Sequence, residues 1–516
     1  MTIENTFNNK WQKYFPVLTG FFLLTIILIK FFYTQHLLMN VSPFMGSDPF
    51  GYLLKSREIL TGDWSQMKTH AMGWSIIMAP FFYFWNMSEN FQYMPLQMTL
   101  SIIFSLLSVP LFYLLAKKYL SEIMALAATS VYALSPLMIE NSLLGLTEPA
   151  FMSISFLAFM LLLKKNRLGI ILAFFLSGVA FWLRTNGLFF FIAYFLIAWL
   201  IFKIPKKDIV LGIIFFLILF IPYVVQRSIQ FGSVFNYGSV SRYFHNDYRT
   251  VWAENYPTIT LSQFWQENGL AGSVAFLLKG LKKLITHFRV ILYPLTMMLL
   301  PLGLWQVYKK RKPEIVALIL FCLITFAPLF LFYPAQGNMR HLYFLLPFLI
   351  ILAFYGLDEF LNKKIIQSLL LIGIIFTCVV YIQFFFFYQK PLNAANAPEQ
   401  AQEGQYLVHI IKGKIAEDAS SMQVFTPHIK YIKNTNNATY SNGEISFSYI
   451  WATDFTTYLN EAKKYNFTHI FVRKKNAYSF LDEVYENSTK YDKLLTKVYD
   501  SEEFGLNTKA KVFKIK

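Results

Sequence analysis

The chain contains a series of uncharged hydrophobic blocks, each about as long as a membrane-spanning helix. A helix needs roughly 20 apolar residues to cross the hydrocarbon layer, and about 17 to 25 are tolerated. The first block, Pro16 to Phe32, is interrupted by Lys30 and has no small-residue cleavage site after it, so it predicts a retained first span. Ten more follow: Phe91 to Ala116, Ile123 to Ile139, Pro149 to Leu163, Leu168 to Leu183, Thr185 to Phe202, Ile209 to Gln226, Val290 to Tyr308, Ile315 to Met339, Leu342 to Leu357 and Ile365 to Gln389.

The composition agrees with a membrane protein. Of the 516 residues 56% are hydrophobic and only 15% are charged, against about 25% charged in ordinary soluble domains. The net charge of +17 comes from small basic clusters between apolar blocks, a pattern that predicts membrane topology and no nucleic-acid partner. Cys322 and Cys378 both lie inside apolar runs, so no disulfide framework is indicated.

The block from Gly73 to Met87 is predicted not to span. It is short, contains Pro80 and carries Trp74 and Trp85, and belts of such residues favour the membrane interface. If it does not cross, alternate connections hold nearly all the basic clusters, as expected of a cytoplasmic side. These clusters are Lys10/Lys13, Lys117/Lys118, Lys164/Lys165/Arg167, Lys203/Lys206/Lys207, Lys309 to Lys312 and Lys363/Lys364.

The predicted protein therefore has eleven spans, outer juxtamembrane helices, a cytoplasmic N-terminus and an extracytoplasmic C-terminus. We expect it in the cell (plasma or inner) membrane. The outer side would hold two long loops, residues 36–91 and 227–289. The second loop ends in a stretch from Ser273 to Arg289 with apolar and basic positions at helical spacing, which predicts a helix on the membrane surface.

The composition changes at Pro391. Residues 1–390 are predicted to form the transmembrane module and residues 391–516 a small soluble α/β domain. The stretch from Asp454 to Lys464 predicts an amphipathic helix. Strands are predicted at Met422 to Phe425, His469 to Val472 and Lys511 to Ile515.

Ionisable residues gather on the predicted outer side, whereas the span centres are nearly free of them. This distribution argues against an ion-coupled transporter and for a site at the outer surface of the bilayer. The gathered residues are Asp48, Lys68, His70, Glu148, Arg184, Arg227, Arg340 and His341.

Two of the acids have a structural and a chemical interpretation. Asp48 precedes Pro49 and a helical pattern that includes Tyr52, so it fits a helix cap as well as a catalytic base. Glu148 lies between Thr147 and Pro149 at the start of a span, where Thr147 could cap the helix and Glu148 could simply favour the helix dipole. In this second outer loop Glu148 is also a candidate acidic site for the acceptor.

The cations have the same two interpretations. Arg184 could reach to the lipid headgroups. Arg340 and His341 stand at the start of a span, where a guanidinium could bind a lipid phosphate through paired hydrogen bonds or make ordinary headgroup contacts.

Together these residues suit one reaction. An acid could take a proton from an acceptor hydroxyl while the cations hold a phosphate leaving group. The sequence has no Cys/His set at zinc spacing and no Gly-x-Ser-x-Gly motif. It predicts no definite cofactor, although Asp48 and Glu148 could share a divalent cation.

The order of these features resembles the integral-membrane glycosyltransferases of the GT-C fold. It is most similar to the dolichyl-phosphate-mannose protein mannosyltransferases and the bacterial aminoarabinose transferases of lipid A. The resemblance covers most of residues 1 to 389. It rests on Asp48 with Tyr52, on Thr147-Glu148-Pro149, on Arg184 with Gly187 and Leu188, on Arg227 with Phe231-Gly232-Ser233, and on Arg340 to Tyr343 with Pro347.

The resemblance implies a sugar donor on a polyprenyl phosphate and a glycan, lipid or protein acceptor. Asp48 would be the base of an inverting displacement, and Arg340, helped by Arg184 or Lys68, would stabilise the phosphate. The chain departs from the family at Thr69 to Gly73, where many members carry His-Pro-Pro around the position of His70. Asp48 also lacks the neighbouring Glu of the protein mannosyltransferases, which disfavours a protein acceptor.

Two other functions remain open at this stage. A polysaccharide ligase or polymerase would use the loop 227–289 as its centre, with Arg242, His245 and Arg249. A lipid-sugar flippase is disfavoured by the scarcity of charge within the spans.

Overall fold

The computed structural model describes most of the chain. The described residues are 3–40, 47–62, 72–85, 93–231, 261–292, 295–337, 339–361, 363–385, short stretches between 403 and 411, and then 413–417, 440–441, 445–450, 452–474 and 478–516. The predicted strand from Met422 to Phe425 lies outside them.

Helices dominate the first 385 residues, and every predicted span falls on one or two of them. They are α1 (Ile3–Asn40), α2 (Ser47–Thr61), α3 (Gly73–Trp85), α4 (Met94–Ala116), α5 (Glu122–Ala133), α6 (Pro136–Leu143), α7 (Glu148–Leu162), α8 (Arg167–Leu183), α9 (Gly187–Leu196, continued by a π-helix Ile197–Ile201), α10 (Lys206–Phe231), α11 (Leu261–Leu292), α12 (Leu295–Lys310), α13 (Pro313–Gln336), a 3-10 helix (Met339–Leu342), α14 (Leu346–Phe360) and α15 (Lys364–Phe384).

Five helices of the described part are long and apolar enough to cross a membrane by themselves. The number rises to seven if each of two bent pairs, α5 with α6 and α11 with α12, forms one span. Helices α7, α8 and α9 are apolar but shorter. The protein is thus a helical membrane protein, and eleven spans remain a prediction. Helix α3, left out of the spans, is 13 residues long.

Aromatic rings fill the centre of the helical bundle. The ring of Phe321 in α13 lies 4.6 Å from that of Phe348, 4.9 Å from that of Phe190 and 5.1 Å from that of Phe159, measured between centroids. All four side chains are almost completely buried. This cluster packs α7, α9, α13 and α14 against one another.

The break between α5 and α6 involves the charged residue of the first span. The two helices meet at 51° around Pro136, because proline cannot continue the hydrogen-bond ladder. The ammonium group of the buried Lys30 donates to the carbonyl oxygen of Ala133 at 3.2 Å. A carbonyl freed by the break therefore has a partner.

Helix α11 contains the predicted surface helix and is interrupted at Gly269. Leu284 is buried on the side that packs against α13, whereas Val274, Leu278 and Ile285 are exposed. Helicity of this stretch is confirmed, and its place on the membrane surface stays a prediction.

The last hundred residues form the predicted α/β structure. In the described part of this region six strands, β1 (Gly413–Glu417), β2 (Tyr440–Ser441), β3 (Ile445–Tyr449), β4 (His469–Arg473), β5 (Leu495–Asp500) and β6 (Ala510–Ile515), form one sheet in the order β2-β3-β1-β4-β6-β5. The described residues between the strands include two helices, α16 (Phe455–Lys464) and α17 (Ser479–Glu486). The predicted helix and the predicted strands at β4 and β6 are confirmed. The boundary at residue 390 stays a prediction.

Candidate active site

A buried ion pair joins the start of α7 to the end of α8. Glu148 is the first residue of α7 and Arg184 follows the last residue of α8. Arg184 Nη1 lies 2.5 Å from Glu148 Oε1, and the two side chains are only 17% and 5% exposed. Two residues that are 36 positions apart in the sequence, and that the sequence analysis assigned to one plane, are in direct contact.

Thr147 and His341 complete this cluster. Arg184 Nη1 also donates to Thr147 Oγ1 at 3.3 Å, and Arg184 Nη2 is 3.4 Å from His341 Nδ1. Because the guanidinium is only a donor, this contact requires His341 Nδ1 to be unprotonated. Thr147 stands at the N-cap position of α7, but its hydroxyl makes no capping hydrogen bond. The predicted cap is therefore wrong, and the hydroxyl contacts the ion pair instead.

Tyr343 lies in the same region, directly after the 3-10 helix that carries Arg340 and His341. Its side chain is buried.

Helix α3 approaches the backbone directly before Arg184. A Cβ atom on Gly73 would lie 2.6 Å from the carbonyl carbon of Trp182 and 2.7 Å from the nitrogen of Leu183. Side chains do not pack at such distances, so only glycine permits this contact. The start of α3 thereby fixes the place of the turn at Arg184.

The start of α2 is tied to the loop that leads into Glu148. Gln97 Nε2 donates to the carbonyl oxygens of Pro49 at 2.8 Å and of Gly145 at 2.7 Å. The indole nitrogen of Trp74 donates to the same Gly145 oxygen at 3.0 Å. The side chain of Gln97 therefore connects the backbone next to Asp48 to the loop that leads into Glu148.

The remaining predicted site residues are placed less completely. Helix α2 begins at Ser47, so Asp48 lies in its first turn and not before it, although its side chain is not described. Tyr52 is buried and its backbone carbonyl accepts a hydrogen bond from Ser75, and its role in the site stays a prediction. Lys68 and His70 lie outside the described residues, as does the side chain of Arg227 at the end of α10.

Sequence reasoning missed Gln97, Lys283 and His287. Lys283 donates to the carbonyl oxygen of Pro334 at 2.9 Å, and His287 Nδ1 lies 2.8 Å from the hydroxyl of Tyr333. These contacts hold α11 against the end of α13, close to the 3-10 helix that carries Arg340. The alternation of basic and apolar residues in α11 was noted as a surface pattern and gave no sign of these contacts.

Among the described side chains, no group of three or more His, Cys, Asp or Glu could hold a metal ion. A cation shared by Asp48 and Glu148 stays a prediction, because the Asp48 side chain lies outside that set.

No family model and no curated protein matches the sequence. Solved structures match the fold. The crystal structure of the Archaeoglobus fulgidus oligosaccharyltransferase in complex with zinc and sulfate has a TM-score of 0.55 and 10% identity, covering 90% of this chain and 69% of that chain. The oligosaccharyltransferase AglB of the same organism, in complex with an inhibitory peptide and a dolichol-phosphate, has a TM-score of 0.52 and 11% identity, with 89% and 69% covered.

A third structure of the Archaeoglobus enzyme is tethered to an acceptor peptide containing the NVT sequon. Its TM-score is 0.53 at 11% identity, covering 92% of this chain and 70% of that chain. The likeness extends over both the helical part and the C-terminal sheet. It confirms a GT-C type of fold, and at this identity it shows the fold alone.

Proposed function

We propose that this protein is a membrane glycosyltransferase that transfers a sugar from a polyprenyl-phosphate donor to a glycan, lipid or protein acceptor on the extracytoplasmic face. The observation that carries the proposal is the tie from the helix start at Asp48 to the loop that leads into the Glu148–Arg184–His341 cluster, within a fold shared with an oligosaccharyltransferase. This tie supports a candidate base and the guanidinium of Arg184 acting in one site.

The proposed reaction is a direct displacement at the anomeric carbon. Asp48 takes the proton of the acceptor nucleophile, which forms the new bond to the sugar as the bond to the phosphate oxygen breaks. The polyprenyl phosphate leaves with the electron pair of that bond. Attack opposite the leaving group inverts the anomeric centre.

Arg184, Arg340 and His341 are proposed to stabilise the departing phosphate, with Lys68 as a further candidate. A guanidinium has five N–H donors, and the contacts of Arg184 with Glu148, Thr147 and His341 orient two of its three nitrogens. Such preorganised donors act on charge that develops in the transition state. Glu148 is proposed to keep the part-buried guanidinium paired before the donor arrives.

The experiment compares cells that carry the chain with cells that lack it, by mass spectrometry of surface glycolipids and glycoproteins. Loss of one sugar unit from one class of molecule would name the donor sugar and the acceptor together. The Asp48→Asn variant should be produced normally and give the same loss. Asp492→Asn removes an exposed carboxyl of the C-terminal sheet region and should behave as the unchanged protein.

Two results would contradict the proposal. Full transfer by Asp48→Asn would remove the assignment of the base. Unaltered glycans in cells that lack the chain, together with transport of a lipid-linked sugar by the purified protein in liposomes, would replace transfer by transport.

A further inference from the structure

We infer that Gln97 is a positioning residue of this site. Its amide group holds the helix that carries Asp48 in a fixed position relative to the loop that leads to Glu148. The inference rests on the proposed function for its catalytic part and on the contacts alone for its structural part. Gln97 lies in the first turn of α4 and its side chain is completely buried. The proposed role of Asp48 as the base depends on where the start of α2 lies relative to this loop.

Both hydrogens of the Gln97 amide are used. They point to the carbonyl oxygens of Pro49 and Gly145, which belong to segments about a hundred residues apart. If the amide were turned over, Gln97 Oε1 would point at these two backbone oxygens with no hydrogen between them. The contacts therefore determine the orientation of the amide. In the observed orientation Gln97 Oε1 is buried without a hydrogen-bond partner among the described residues.

That unpaired oxygen is informative about the role of the side chain. A buried acceptor without a partner is costly, whereas an apolar side chain of similar shape would carry no such cost. A glutamine at this position is therefore poorly suited to simple core packing. The two donated bonds are the part of the side chain that the surroundings use.

Gly145 packs closely against the side chain of Gln97 on the loop side. Its φ of +64° is in the left-handed region, which favours glycine. A Cβ atom there would lie 3.1 Å from Gln97 Cγ and 3.3 Å from Gln97 Nε2. The loop therefore lies directly on the glutamine, three residues before Glu148.

On the other side Pro49 is the residue after Asp48, and consecutive Cα atoms are about 3.8 Å apart. Any shift of the Pro49 carbonyl thus moves Asp48 by a similar amount. A misplacement of about 1 Å at a reacting group can cost about 100-fold in rate. We therefore expect loss of the two bonds to lower turnover rather than donor binding.

The structural test needs no substrate. Hydrogen exchange of the full-length protein in detergent is followed by mass spectrometry in segments 47–62 and 143–148. Gln97→Met keeps the size of the side chain and removes both donors, and it should speed exchange about tenfold or more in both segments. Ser101→Ala is the matched control: Ser101 lies one turn further along α4 and donates to Leu146 at 3.4 Å, so its loss should leave segment 47–62 unchanged.

The catalytic test uses the same variants with the donor and acceptor named by the glycan comparison. Gln97→Met should lower kcat about 100-fold with the KM for the donor within about threefold of the parent. If Gln97→Met does not fold, Gly145→Ala is used instead, because its added methyl group displaces the glutamine from the loop side. It should likewise lower kcat with little change in the KM for the donor. In Gln97→Glu the introduced carboxyl regains one O–H donor when it is protonated, so its activity relative to the parent should rise as the pH falls.

The outcomes separate the two claims. Unchanged exchange in segment 47–62 of Gln97→Met overturns the tie, whatever the transfer activity. Faster exchange with parental kcat, or a raised KM with parental kcat, overturns the positioning role. An active Asp48→Asn variant contradicts the proposed function, and the exchange result then still decides the tie.

Discussion

Arg184 and Glu148 join the ends of two neighbouring helices through a contact of 2.5 Å between Nη1 and Oε1, in surroundings that exclude most water. From the sequence, Arg184 is predicted to bind the phosphate and Glu148 to form an acidic site for the acceptor in the second outer loop. If one of the two charges is removed, the other loses its ion-pair partner at a place where little water can replace it.

The first prediction concerns the energy of this pair. Arg184→Gln should lower stability by about 3–5 kcal/mol, because it leaves the buried Glu148 carboxylate without its charged partner. Glu148→Gln should lower stability less, because the part-buried Arg184 keeps its contacts with Thr147 and His341. The double variant should lose less than the sum of the two single variants. The measurement is thermal unfolding in detergent, followed by intrinsic fluorescence.

An exposed pair of the same length provides the control. Lys165 Nζ lies 2.5 Å from Glu314 Oε1, but both side chains are 38% exposed. The two single variants and the double variant of Lys165 and Glu314, compared in the same way, should give a coupling energy of about 0–1 kcal/mol. Equal coupling in the two cycles would show that burial does not govern the Arg184–Glu148 pair.

The second prediction concerns the contact between α3 and the end of α8. Gly73→Ala should destabilise the protein by about 1–3 kcal/mol, because the added methyl group overlaps the backbone of Trp182 and Leu183. It should also lower transfer, since Arg184 follows directly. Thermal unfolding and the transfer assay check the two effects.

Gly20→Ala is the control for this change. Gly20 lies inside α1, and among the described residues no atom outside the backbone of this helix would lie within 4 Å of a Cβ atom at this position. Alanine is the better helix former by about 1 kcal/mol, so this variant should be as stable as the parent or more so. A destabilisation equal to that of Gly73→Ala would contradict the steric argument.

The third prediction concerns pH and the C-terminal sheet. His469 is buried in β4, and burial, together with Lys514 opposite it on β6, lowers the pKa of its imidazole from 6.5 to about 4. The unfolded chain therefore binds this proton at a higher pH than the folded sheet does. The stability that the neutral imidazole contributes is complete above about pH 6.5 and is lost as the pH falls towards 4.

The check is urea-induced unfolding of the full-length protein at several pH values, scored by the urea concentration at which a protease first cuts between residues 440 and 516. The urea concentration at this midpoint should decrease as the pH is lowered from 6.5 to 4, and the decrease should be smaller in His469→Gln. The same midpoint shift in parent and variant would assign the pH effect to other groups.

Hydropathy predicted the helices well because a membrane span is a one-dimensional signal. A stretch such as Phe91 to Ala116 must satisfy its own backbone in hydrocarbon, so apolar length alone predicts helix α4. Turns were harder: the block Ile123 to Ile139 gave no sign of a 51° bend, although Pro136 marks the place where it occurs.

The site was predictable as a list and not as a set of contacts. The topology grouped Arg184, Glu148 and His341 on one side, but the pairing across 36 and 157 residues depends on packing that the sequence does not encode locally. Gln97 was missed because one glutamine at the edge of an apolar block resembles an ordinary interfacial residue. Its spacing of four from Ser101, on the same helix face, is the signal that could have indicated a polar contact.

The sheet shows the opposite difficulty. Strands β4 and β6 are predicted around the apolar residues Ile470 to Val472 and Val512-Phe513, whereas β1, β3 and β5 carry polar residues such as Lys414, Ser446 and Lys497. Alternation over five residues is too weak to separate such strands from loops. Their pairing in one sheet is what stabilises them.

The fourth prediction contrasts two asparagines of the bundle. Asn166 precedes α8 and its side chain accepts a hydrogen bond from the nitrogen of Gly169 at 2.7 Å, so Asn166→Leu should cost about 1 kcal/mol through loss of the cap. Asn141 in α6 is 1% exposed, and neither its Oδ1 nor its Nδ2 has a hydrogen-bond partner among the described residues. Leucine has nearly the same shape without the polar atoms, so Asn141→Leu should raise stability by about 1–3 kcal/mol. Thermal unfolding of both variants tests the opposite signs, and a lower midpoint for Asn141→Leu would show that its amide makes a contact the bundle needs.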